Sequence, residues 1–365
     1  MRQKTARIAL ITGGAGFIGS NLAERLLADP HVRVRLFDNF SREGVVHNLA
    51  WLRSLSGSSR LEVIRGDVRD ARAVEQAVSG VSEIYHLAAQ VAVTTSLEDP
   101  LRDFEVNTKG TFHVLEAARR SGCRPFLLFT STNKVYGSLS RVAVEVHDGR
   151  YRAVQRDFRG VDEREPLDFH SPYGCSKGAA DQYVHDYARI FGLPTVVFRM
   201  SCIAGPRQFG NEDQGWVAHF LYSTLLGRPI SIYGDGYQVR DVLHVHDLVD
   251  AMMAARGAEE RSRGEIFNLG GGIERAVSVM EMLREIQNKT GVAPRCDFFE
   301  VRPGDQPLYI SDTAKLQRSI GWRPRRSVTD TLEAIHGFWL HNRELIASAG
   351  SRTLTPASSL QMEVA

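Results

Sequence analysis

The sequence is poor in cysteine and has no long apolar run. Its 365 residues include four cysteines, Cys123, Cys175, Cys202 and Cys296, which lie far apart and form no Cys-x-x-Cys pair. This spacing argues against a disulfide framework or a metal site, so we expect reduced thiols and a cytoplasmic protein. No apolar stretch reaches membrane-spanning length, and the apolar run near the N-terminus is too short for a signal peptide.

An excess of charge of one sign is also absent. The chain has 45 Lys and Arg residues against 43 Asp and Glu, a net charge of +2. Neither nucleic acid nor a membrane surface is therefore expected as the main partner. With 43% hydrophobic and 24% charged residues, the composition is typical of a globular protein, and the length fits one large α/β unit or two lobes sharing a cleft.

Apolar strands alternate with amphipathic helices along the first half of the chain. The predicted strands are Arg7–Thr12, Val32–Asp38, Leu61–Gly66, Glu83–Leu87, Phe126–Thr130 and Thr195–Arg199, and the predicted helices are Asn21–Ala28, Ala71–Val78, Leu101–Arg120 and Ser176–Phe191. This order is typical of a Rossmann-type, doubly wound parallel α/β sheet. After residue 201 the rhythm loosens, and the Gly-rich segment 205–215 is expected to form a loop over a cleft.

A glycine-rich turn, TGGAGFIG at Thr12–Gly19, follows the first predicted strand and opens a helix. Gly13 permits the tight turn, Gly16 lets the backbone approach a pyrophosphate, and Gly19 lets the helix pack closely on the sheet. Glycines also end strands for steric reasons alone. Because this turn lies between a strand and a helix, however, it indicates a dinucleotide site.

Asp38 ends the second strand, at the position where a carboxylate accepts both hydroxyls of the adenosine ribose. Such a carboxylate repels a 2′-phosphate, so the sequence favours NAD over NADP, although the nearby Arg42 softens that preference. Asp67, after the third strand, is a candidate for the adenine amino group or for a helix cap, a role also open to Asp70. His86 is interpreted as a partly buried histidine with satisfied partners.

Leu87, Ala88, Ala89 and Gln90 end the fourth strand with mostly small side chains. They either leave room for a dinucleotide or form a tight packing turn. Further along, SPYGCSK places Tyr173 and Lys177 at i and i+4, on one face of a predicted helix. An ammonium near the phenol favours the phenolate, which makes the tyrosine a usable base. The spacing is common by chance.

The fifth strand ends in three hydroxyl residues, Thr130, Ser131 and Thr132. They lie where open α/β sheets bind ligands, although at least one is expected only to cap backbone groups. Together with the motifs above, this run resembles the extended short-chain dehydrogenase/reductase family of nucleotide-sugar epimerases and dehydratases. HLAAQ, VYG, SPYGCSK, QVRDVLHV, FNLGGG and RPGDQ occur in family order, and the resemblance covers roughly residues 7 to 339.

The resemblance implies a catalytic base, Tyr173, with Lys177 as its partner and Thr132 as the hydroxyl on the reacting sugar oxygen. The implied NAD contacts are Gly13, Gly16, Phe17, Ile18, Gly19, Asp38, Asn39, Asp67, Val68, Leu87, Ala88, Ala89, Gln90, Asn107, Thr130, Tyr173, Lys177 and Met200. The implied substrate contacts are Val93, Thr132, Asn133, Tyr173, Ser201, Gln214, Arg240 and Arg302. The two arginines match positions that hold the nucleotide diphosphate, or they form surface ion pairs with Asp241 and Asp305.

The resemblance also bears on the reaction. Dehydratases of the family carry an Asp-Glu pair after the strand-five threonine, whereas this chain has Asn133-Lys134. This favours epimerisation through a transient ketone. The run STNKVYG and the segment 138–170 are most similar to the branch that inverts C2 of CDP-linked 3,6-dideoxyhexoses such as CDP-paratose and CDP-tyvelose. A nucleotide-sugar 4-epimerase, a net oxidoreductase and a non-catalytic NAD-binding regulator remain alternatives.

The expected organisation has two interleaved parts. Residues 1–200 form the NAD-binding domain, with returns near 239–272, and residues 201–238 and 273–341 form the substrate-binding lobe. The polar segment 138–170 is a candidate lid, and residues 342–365 are expected to be a disordered tail. The family commonly pairs two long helices across a dimer, so a homodimer or homotetramer is expected, with Leu101–Arg120 and Ser176–Phe191 as those helices.

Overall fold

The computed structural model describes residues 7–42, 44–302 and 305–349. Its strands are β1 (Arg7–Thr12), β2 (Val32–Asp38), β3 (Leu61–Arg65), β4 (Glu83–His86), β5 (Phe126–Thr132), β6 (Val144–His147), β7 (Arg150–Ala153), β8 (Thr195–Met200), β9 (Cys202–Ala204), β10 (Ile230–Tyr233), β11 (Val239–His244), β12 (Glu265–Leu269), β13 (Ala276–Ser278), β14 (Cys296–Phe299) and β15 (Leu308–Tyr309). Its α-helices are α1 (Phe17–Leu27), α2 (Val45–Ser54), α3 (Ala71–Val78), α4 (Val93–Glu98), α5 (Pro100–Phe104), α6 (Gly110–Arg120), α7 (Ser171–Phe191), α8 (Trp216–Leu225), α9 (Val245–Gly257), α10 (Glu259–Ser262), α11 (Val279–Thr290), α12 (Ala314–Ile320) and α13 (Val328–Ala349).

A parallel sheet of seven strands forms the centre of the molecule, in the order β12-β8-β5-β4-β1-β2-β3. The chain runs outward from β1 to β3 on one side and from β4 to β12 on the other, so the strand order reverses between β1 and β4. Ligands of open α/β sheets bind at the carboxyl ends of the strands at such a point. The Rossmann-type fold predicted from the sequence is confirmed.

Helices cover both faces of the sheet. On one face, Leu22 of α1 and Met252 of α9 are fully buried in the same apolar cluster, and on the other, Val74, Val114 and Val184 form a second cluster. Because both faces are covered, the strands have few polar positions, and every residue of β5 is buried. This burial explains why the strands could be recognised as apolar runs.

A smaller lobe follows β8. The sheet β13-β11-β15, with β9 beside β11, and the pair β10-β14 lie here, and α8, α11 and α13 supply an apolar core that includes Leu221, Ile286 and Ile335. Residues 239–272, which were expected to return to the NAD-binding domain, are shared between the two parts of the molecule. β12 joins the central sheet and α9 packs against its face, whereas β11 lies in the smaller sheet.

The predicted helical stretch Leu101–Arg120 is helical, but it is not one regular α-helix. α5 begins at Pro100, where the side chain of Asp99 accepts from the backbone N–H of Arg102. A π-helical turn at Glu105–Lys109 then separates α5 from α6. α7 begins at Ser171, earlier than the predicted Ser176, because Pro172 fits the first turn of a helix.

Two further expectations are corrected. The segment 138–170 contains the hairpin β6–β7, and Val144 and Tyr151 pack against the buried Val239 and Leu308 of the smaller lobe. It is therefore an ordered part of that lobe's core and not a structureless lid. In the expected tail, α13 is kinked at Asn342, and residues 343–349 are helical up to Ala349, with Ile346 buried. Residues 350–365 lie outside the described residues.

Within the described residues, none of the helices has the length and apolar character needed to span a bilayer. The same residues include no group of three or more His, Cys, Asp or Glu side chains arranged to hold a metal ion.

Candidate active site

The glycine turn connects β1 to α1 at the point where the strand order reverses. Gly13 has a φ of +67°, and a Cβ there would lie 2.9 Å from the backbone nitrogen of Ala88. A Cβ on Gly19 would lie 2.5 Å from the carbonyl oxygen of Gly13. Phe17 and Ile18 begin α1, whose N-cap, Gly16, offers no side-chain cap. The first N–H groups of this helix are therefore available to an anion, as a pyrophosphate requires.

The carboxylate of Asp38 lies beside this turn. It accepts from the backbone N–H of Ala15 at 3.0 Å and from that of Phe40 at 2.8 Å, and burial raises its pKa. Each oxygen has one protein donor and keeps acceptor capacity for a hydroxyl. Asn39 donates to the carboxylate of Asp67 at 2.9 Å, so these two predicted contacts lie together at the same edge of the sheet.

Asp67 is also bound by Arg69 at 3.0 Å. Although burial acts to raise the pKa of Asp67, hydrogen bonds from Arg69 and Asn39 bring it to about 2. The following Asp70 caps α3, as one interpretation of the sequence had it. Val68 is buried and would meet a Cβ placed on Gly110 at 2.7 Å. Asp67 and Val68 thus lie at the carboxyl end of β3, where the sequence predicted contacts to NAD.

The end of β4 is fixed to its neighbours. His86 bonds through Nδ1 to the hydroxyl of Thr12 at 2.7 Å and through Nε2 to that of Thr111 at 3.0 Å. Burial lowers its pKa to about 3, so the ring is neutral. The N–H groups of Leu87 and Ala88 donate to Thr12 at 3.2 Å. His86 is satisfied, as predicted, but it is fully buried and not partly so.

Asn107 links this segment to α7. Its Oδ1 accepts from the backbone N–H of Gln90 at 2.9 Å, and its amide donates to the carbonyl of Gln90 at 3.0 Å. The same amide lies 3.0 Å from the hydroxyl of Ser176 and 3.1 Å from Asp103. Asn107 stands in the π-helical turn, an irregularity that often marks functional sites.

Thr132, Tyr173 and Lys177 converge at the carboxyl end of β5. Tyr173 stands in the first turn of α7 and lines a common cavity with Thr132, whose hydroxyl acts to lower the pKa of the phenol. Lys177 donates to the carbonyl of Thr130 at 2.6 Å and lies 4.1 Å from the ring centre of Phe129. The structure therefore brings the predicted base, hydroxyl and lysine together, with the lysine bonded to the strand and not to the phenol.

Burial dominates the protonation of both groups on α7. It raises the pKa of Tyr173 to about 12, although the Thr132 hydroxyl and the positive Arg42 act to lower it and the negative Asp103 to raise it. Burial lowers the pKa of Lys177 to about 7, opposed by the negative charges of Asp181 and Asp103. Burial thus moves the two pKa values apart, with that of Tyr173 at about 12 and that of Lys177 at about 7, whereas those of the free side chains are similar.

The three hydroxyls at the end of β5 differ in their bonding. Thr130 donates to the carbonyl of His86 at 3.4 Å, and Thr132 accepts from the backbone N–H of Lys134 at 3.2 Å. The buried hydroxyl of Ser131 has no protein partner among the described residues. Thr130 and Thr132 therefore bond to backbone groups, as was expected for at least one of the three hydroxyls.

A cavity of about 580 Å³ opens next to these groups, between the sheet and the smaller lobe. Thr132 and Tyr173 line it together with the other predicted substrate contacts Val93, Asn133, Gln214, Arg240 and Arg302. The exception is Ser201, which is not among the lining residues and donates to the carboxylate and carbonyl of Asp241. Met200, a predicted cofactor contact, packs against the apolar core beside it.

Charged side chains line the cavity in ion pairs. Arg240 lies 2.6 Å and Lys134 3.3 Å from the carboxylate of Asp305. Arg302 lies 3.6 Å from Glu212 and stacks on the ring of Tyr233 at 3.8 Å. The predicted pairing with Asp305 is thus present for Arg240, but Arg302 pairs with the loop over the cleft. That loop also meets the cofactor side, since Arg42 donates to Gln214.

Sequence reasoning missed several residues of the site. Trp216, Phe220 and Tyr233 form aromatic walls of the cavity. For Trp216, the signal in the sequence was its position directly after the glycine-rich segment 205–215. Asp103 and Ser176 lie fully or almost fully buried behind Lys177. An acidic residue on the inward face of a predicted amphipathic helix was the signal for Asp103.

Known proteins share this arrangement along nearly the whole chain. The family model described as GDP-mannose 4,6 dehydratase matches residues 10–335. CDP-paratose 2-epimerase of Salmonella typhi is 42% identical, covering 90% of this chain and 97% of that protein. The crystal structure of UDP-glucuronic acid 4-epimerase from Bacillus cereus, in complex with UDP-glucuronic acid and NAD, is 26% identical, with a TM-score of 0.78 over 92% of this chain and 99% of the other.

A crystal structure of dTDP-glucose 4,6-dehydratase from Streptomyces venezuelae with NAD bound is 29% identical, with a TM-score of 0.79 over 92% of this chain and 98% of the other. In the glycine turn, Gly13 and Gly19 leave no room for a Cβ atom. The turn therefore fits the close approach of a dinucleotide such as NAD. The chain belongs to the extended short-chain dehydrogenase/reductase family and is an NAD-dependent nucleotide-sugar epimerase.

Proposed function

We propose that the protein inverts C2 of a CDP-linked 3,6-dideoxyhexose, interconverting CDP-paratose and CDP-tyvelose or a closely related pair. The observation that carries this proposal is the 42% identity to CDP-paratose 2-epimerase over 97% of that protein, combined with Asn133 and Lys134 beside Thr132 at the cavity. Relatives that act at C4 or remove water share the fold, so the fold alone does not favour C2.

The pairing of the cavity's acids supports epimerisation over dehydration. Elimination needs a positioned acid and base beside the reacting carbon, and the dehydratases that the sequence resembles use a pair of carboxyl groups for this. Asp305 is bound by Lys134 and Arg240, and Glu212 and Asp213 face Arg302. The position after Thr132 carries an amide, Asn133, which donates to Gln306 at 3.1 Å.

We further propose that Tyr173 moves the proton of the reacting hydroxyl, and that Thr132 orients the sugar oxygen toward it. Bound NAD supplies the acceptance and return of a hydride. Lys177, as a cation, stabilises the phenolate, because a positive charge lowers the free energy of a nearby negative one. Burial raises the pKa of the Tyr173 phenol to about 12, so formation of the phenolate at neutral pH needs this assistance.

The remaining predicted contacts have roles consistent with their positions. Asp38 would accept the ribose hydroxyls, and the N-terminus of α1 would face the pyrophosphate. Arg240 and Arg302 would bind the substrate diphosphate, since both line the cavity and exchange of a carboxylate partner for a phosphate preserves their ion pairs. The cavity between the sheet and the smaller lobe supports the proposed division into NAD-binding and substrate-binding parts.

A homo-oligomer, located in the cytoplasm, is part of the proposal. Exposed apolar side chains cluster on the helices around the π-helical turn and on α7, with exposed fractions of 68% for Leu101 and 65% for Ile190. Phe112 and Tyr183 form an edge-on ring contact between these helices. Apolar side chains at this density support pairing with a second copy.

Purified protein incubated with CDP-, UDP-, GDP- and dTDP-sugars, with products resolved by NMR, tests the function. We expect inversion at C2 of a CDP-sugar with unchanged mass. Inversion at C4 of a UDP-sugar would favour a 4-epimerase, and net formation of reduced cofactor would favour an oxidoreductase. Loss of water would contradict the proposed reaction type.

A further inference from the structure

We propose that Asp103 is a positioning residue that provides the buried counter-charge of Lys177 and orients the first two turns of α7 through Ser176. The proposal rests on the proposed function, in which Lys177 acts as a cation next to Tyr173. It assigns a role to a carboxyl group that is not among the residues lining the cavity and that hydrogen-bonds to Asn107, a predicted NAD contact.

Asp103 is fully buried on α5, yet no lysine or arginine among the described residues forms an ion pair with it. Its hydrogen-bond partners are the hydroxyl of Ser176, which donates to Oδ2, and the amide of Asn107, which lies 3.1 Å from Oδ1. Burying an ionised carboxyl group without a cationic partner is costly, so the carboxylate form requires a compensating charge nearby.

The direction of these bonds favours the ionised carboxylate. The backbone N–H of Gln90 donates to Oδ1 of Asn107, which turns the NH₂ group of Asn107 toward Asp103. The hydroxyl of Ser176 has two acceptors within reach, Oδ2 of Asp103 and, at 3.2 Å, the carbonyl of Tyr173. The bond to Asp103 is the shorter one, and it acts with the charge of Lys177 to lower the pKa of this carboxyl group, which burial raises. Donors therefore face both carboxyl oxygens, as an anion requires.

The compensating charge is the ammonium of Lys177, the residue that follows Ser176. Its ammonium bonds to the carbonyl of Thr130 and lies over the ring of Phe129, so neither bond neutralises it. Asp181, one turn further along α7, is bound by Arg199 through two hydrogen bonds of 2.9 and 2.8 Å. Asp103 therefore remains the carboxylate near Lys177 without an arginine or lysine ion pair in the described part of the chain.

Other charged groups around this pair come from different elements. His86 of β4 is neutral, with its pKa lowered by burial and by Lys177. Arg42, in the loop after β2, acts on Tyr173 from the cleft. Asp103 raises the pKa of both Tyr173 and Lys177, whereas Arg42 lowers that of Tyr173. Removing the charge of Asp103 must therefore lower the pKa of both groups.

The test uses Asp103→Asn, which removes the charge and keeps the shape, and Ser176→Ala, which removes the bond and keeps the charge. The chain has six lysines, so ¹³C-labelling of the lysine ε-carbons gives few NMR signals, and Lys177→Arg identifies that of Lys177. We expect the Lys177 titration to shift by about one pH unit to lower pH in Asp103→Asn and by much less in Ser176→Ala.

The pH dependence of kcat gives the second measurement. In Asp103→Asn we expect both the acid limb, set by Tyr173, and the basic limb, set by loss of the Lys177 charge, to move to lower pH. Because the basic limb then reaches neutral pH, kcat there should fall, by up to the roughly tenfold change that one pKa unit represents, while the amount of bound NAD is unchanged. If kcat falls while both limbs and the Lys177 titration stay in place, Asp103 is only structural and the proposal is wrong.

Should Asp103→Asn not fold, the wild-type carboxyl signals decide. The ¹³C signal that moves in Ser176→Ala is assigned to Asp103, and a protonated carboxyl group at pH 7 would overturn the proposal. The lysine and carboxyl titrations need no substrate. An inactive wild-type protein would therefore contradict the proposed function without affecting this test.

Discussion

At the scale of single residues, the site shows which side chains a sequence pattern can identify. The i, i+4 spacing placed Tyr173 and Lys177 on one helix face and the end of a strand placed three hydroxyls at the ligand-binding edge, whereas the choice of Thr132 and the catalytic roles came from the resemblance to the family. The bond from Lys177 to the carbonyl of Thr130 and the contact of Ser176 with Asp103 were not predicted. They join residues 47 and 73 positions apart, and only the packing of α7 on the sheet brings them together.

The proposed role of Tyr173 gives the first prediction. Tyr173→Phe removes the hydroxyl that moves the proton and keeps the ring that fills the site. We expect kcat to fall by roughly 10²–10⁴, with the amount of bound NAD nearly unchanged. Tyr183→Phe, on an exposed turn of the same helix, is the control and should keep wild-type activity. Activity of Tyr173→Phe above about a hundredth of wild type would contradict a base of the usual strength.

At the scale of elements, apolar strands were predicted well and irregular segments were not. All six strands predicted before residue 200 lie in the central sheet, with ends shifted by at most two residues, because burial on both faces leaves a continuous apolar run. The π-helical turn at Glu105–Lys109 has no local signature. Asn107 in that turn is held by Gln90 and Ser176, both distant in sequence, so tertiary contacts set its geometry.

The hairpin β6–β7 was missed for a related reason. Its sequence is mostly polar, and its strands have largely exposed or half-buried positions. Val144 and Tyr151 find their apolar partners in the smaller lobe, more than eighty residues further along the chain. Polarity alone predicted a loop because it does not show that a few inward side chains are enough to order the segment.

The second prediction concerns the glycine turn as an element. Gly13→Ala places a Cβ 2.9 Å from the backbone nitrogen of Ala88 at a φ of +67°, so the turn must shift. We expect loss of most of the bound NAD. Gly80→Ala is the matched control, since Gly80 has a φ of +72° and nothing within 4 Å of the added Cβ.

That control separates backbone strain from the shape of the site. Both variants place a non-glycine residue in the left-handed conformation, which lowers the free energy of unfolding by about 1–2 kcal/mol. Thermal unfolding measures this loss of stability. Only Gly13→Ala should lose cofactor, as measured by absorbance of the supernatant after denaturation. Equal cofactor content in the two variants would show that the turn does not shape the NAD site.

At the scale of the whole molecule, the exposed apolar side chains on α5 and α7 lead us to expect that two copies of the chain associate through these helices. Leu101→Glu together with Ile190→Glu places two charges on side chains that are 68% and 65% exposed in the single chain. If a second copy covers them, the charges must be desolvated, which is costly. We expect the mass measured by light scattering to fall to that of one chain.

The control for assembly is Leu340→Glu, on α13, where the side chain is 48% exposed and lies on another face. This variant should keep the wild-type mass. A wild-type protein that is already a single chain, or a double variant of unchanged mass, would show that these helices do not form the interface.

The last prediction joins the two lobes to the reaction. The cavity lies between the central sheet with α7, which carries Tyr173, and the smaller lobe, which carries Arg302, so in the proposed mechanism the oxidised sugar would be held between the two lobes. The protein should therefore purify with NAD bound, and its product, formed in deuterated water, should carry little solvent deuterium at the inverted carbon. The hydrogen leaves and returns as hydride and never exchanges with water.

Asn133 and Lys134 provide no carboxylate for a solvent-exchanging step at that carbon, and the acids of the cavity are held in ion pairs. Full deuterium incorporation, read by NMR and mass spectrometry, would therefore mean that a proton is removed and replaced there, and inversion by hydride return would be excluded. A product lighter by one water would show that paired acids such as Asp305 and Glu212 exchange protons after all. Cofactor-free protein that needs added NADP would contradict both the retention of NAD and the preference assigned to Asp38.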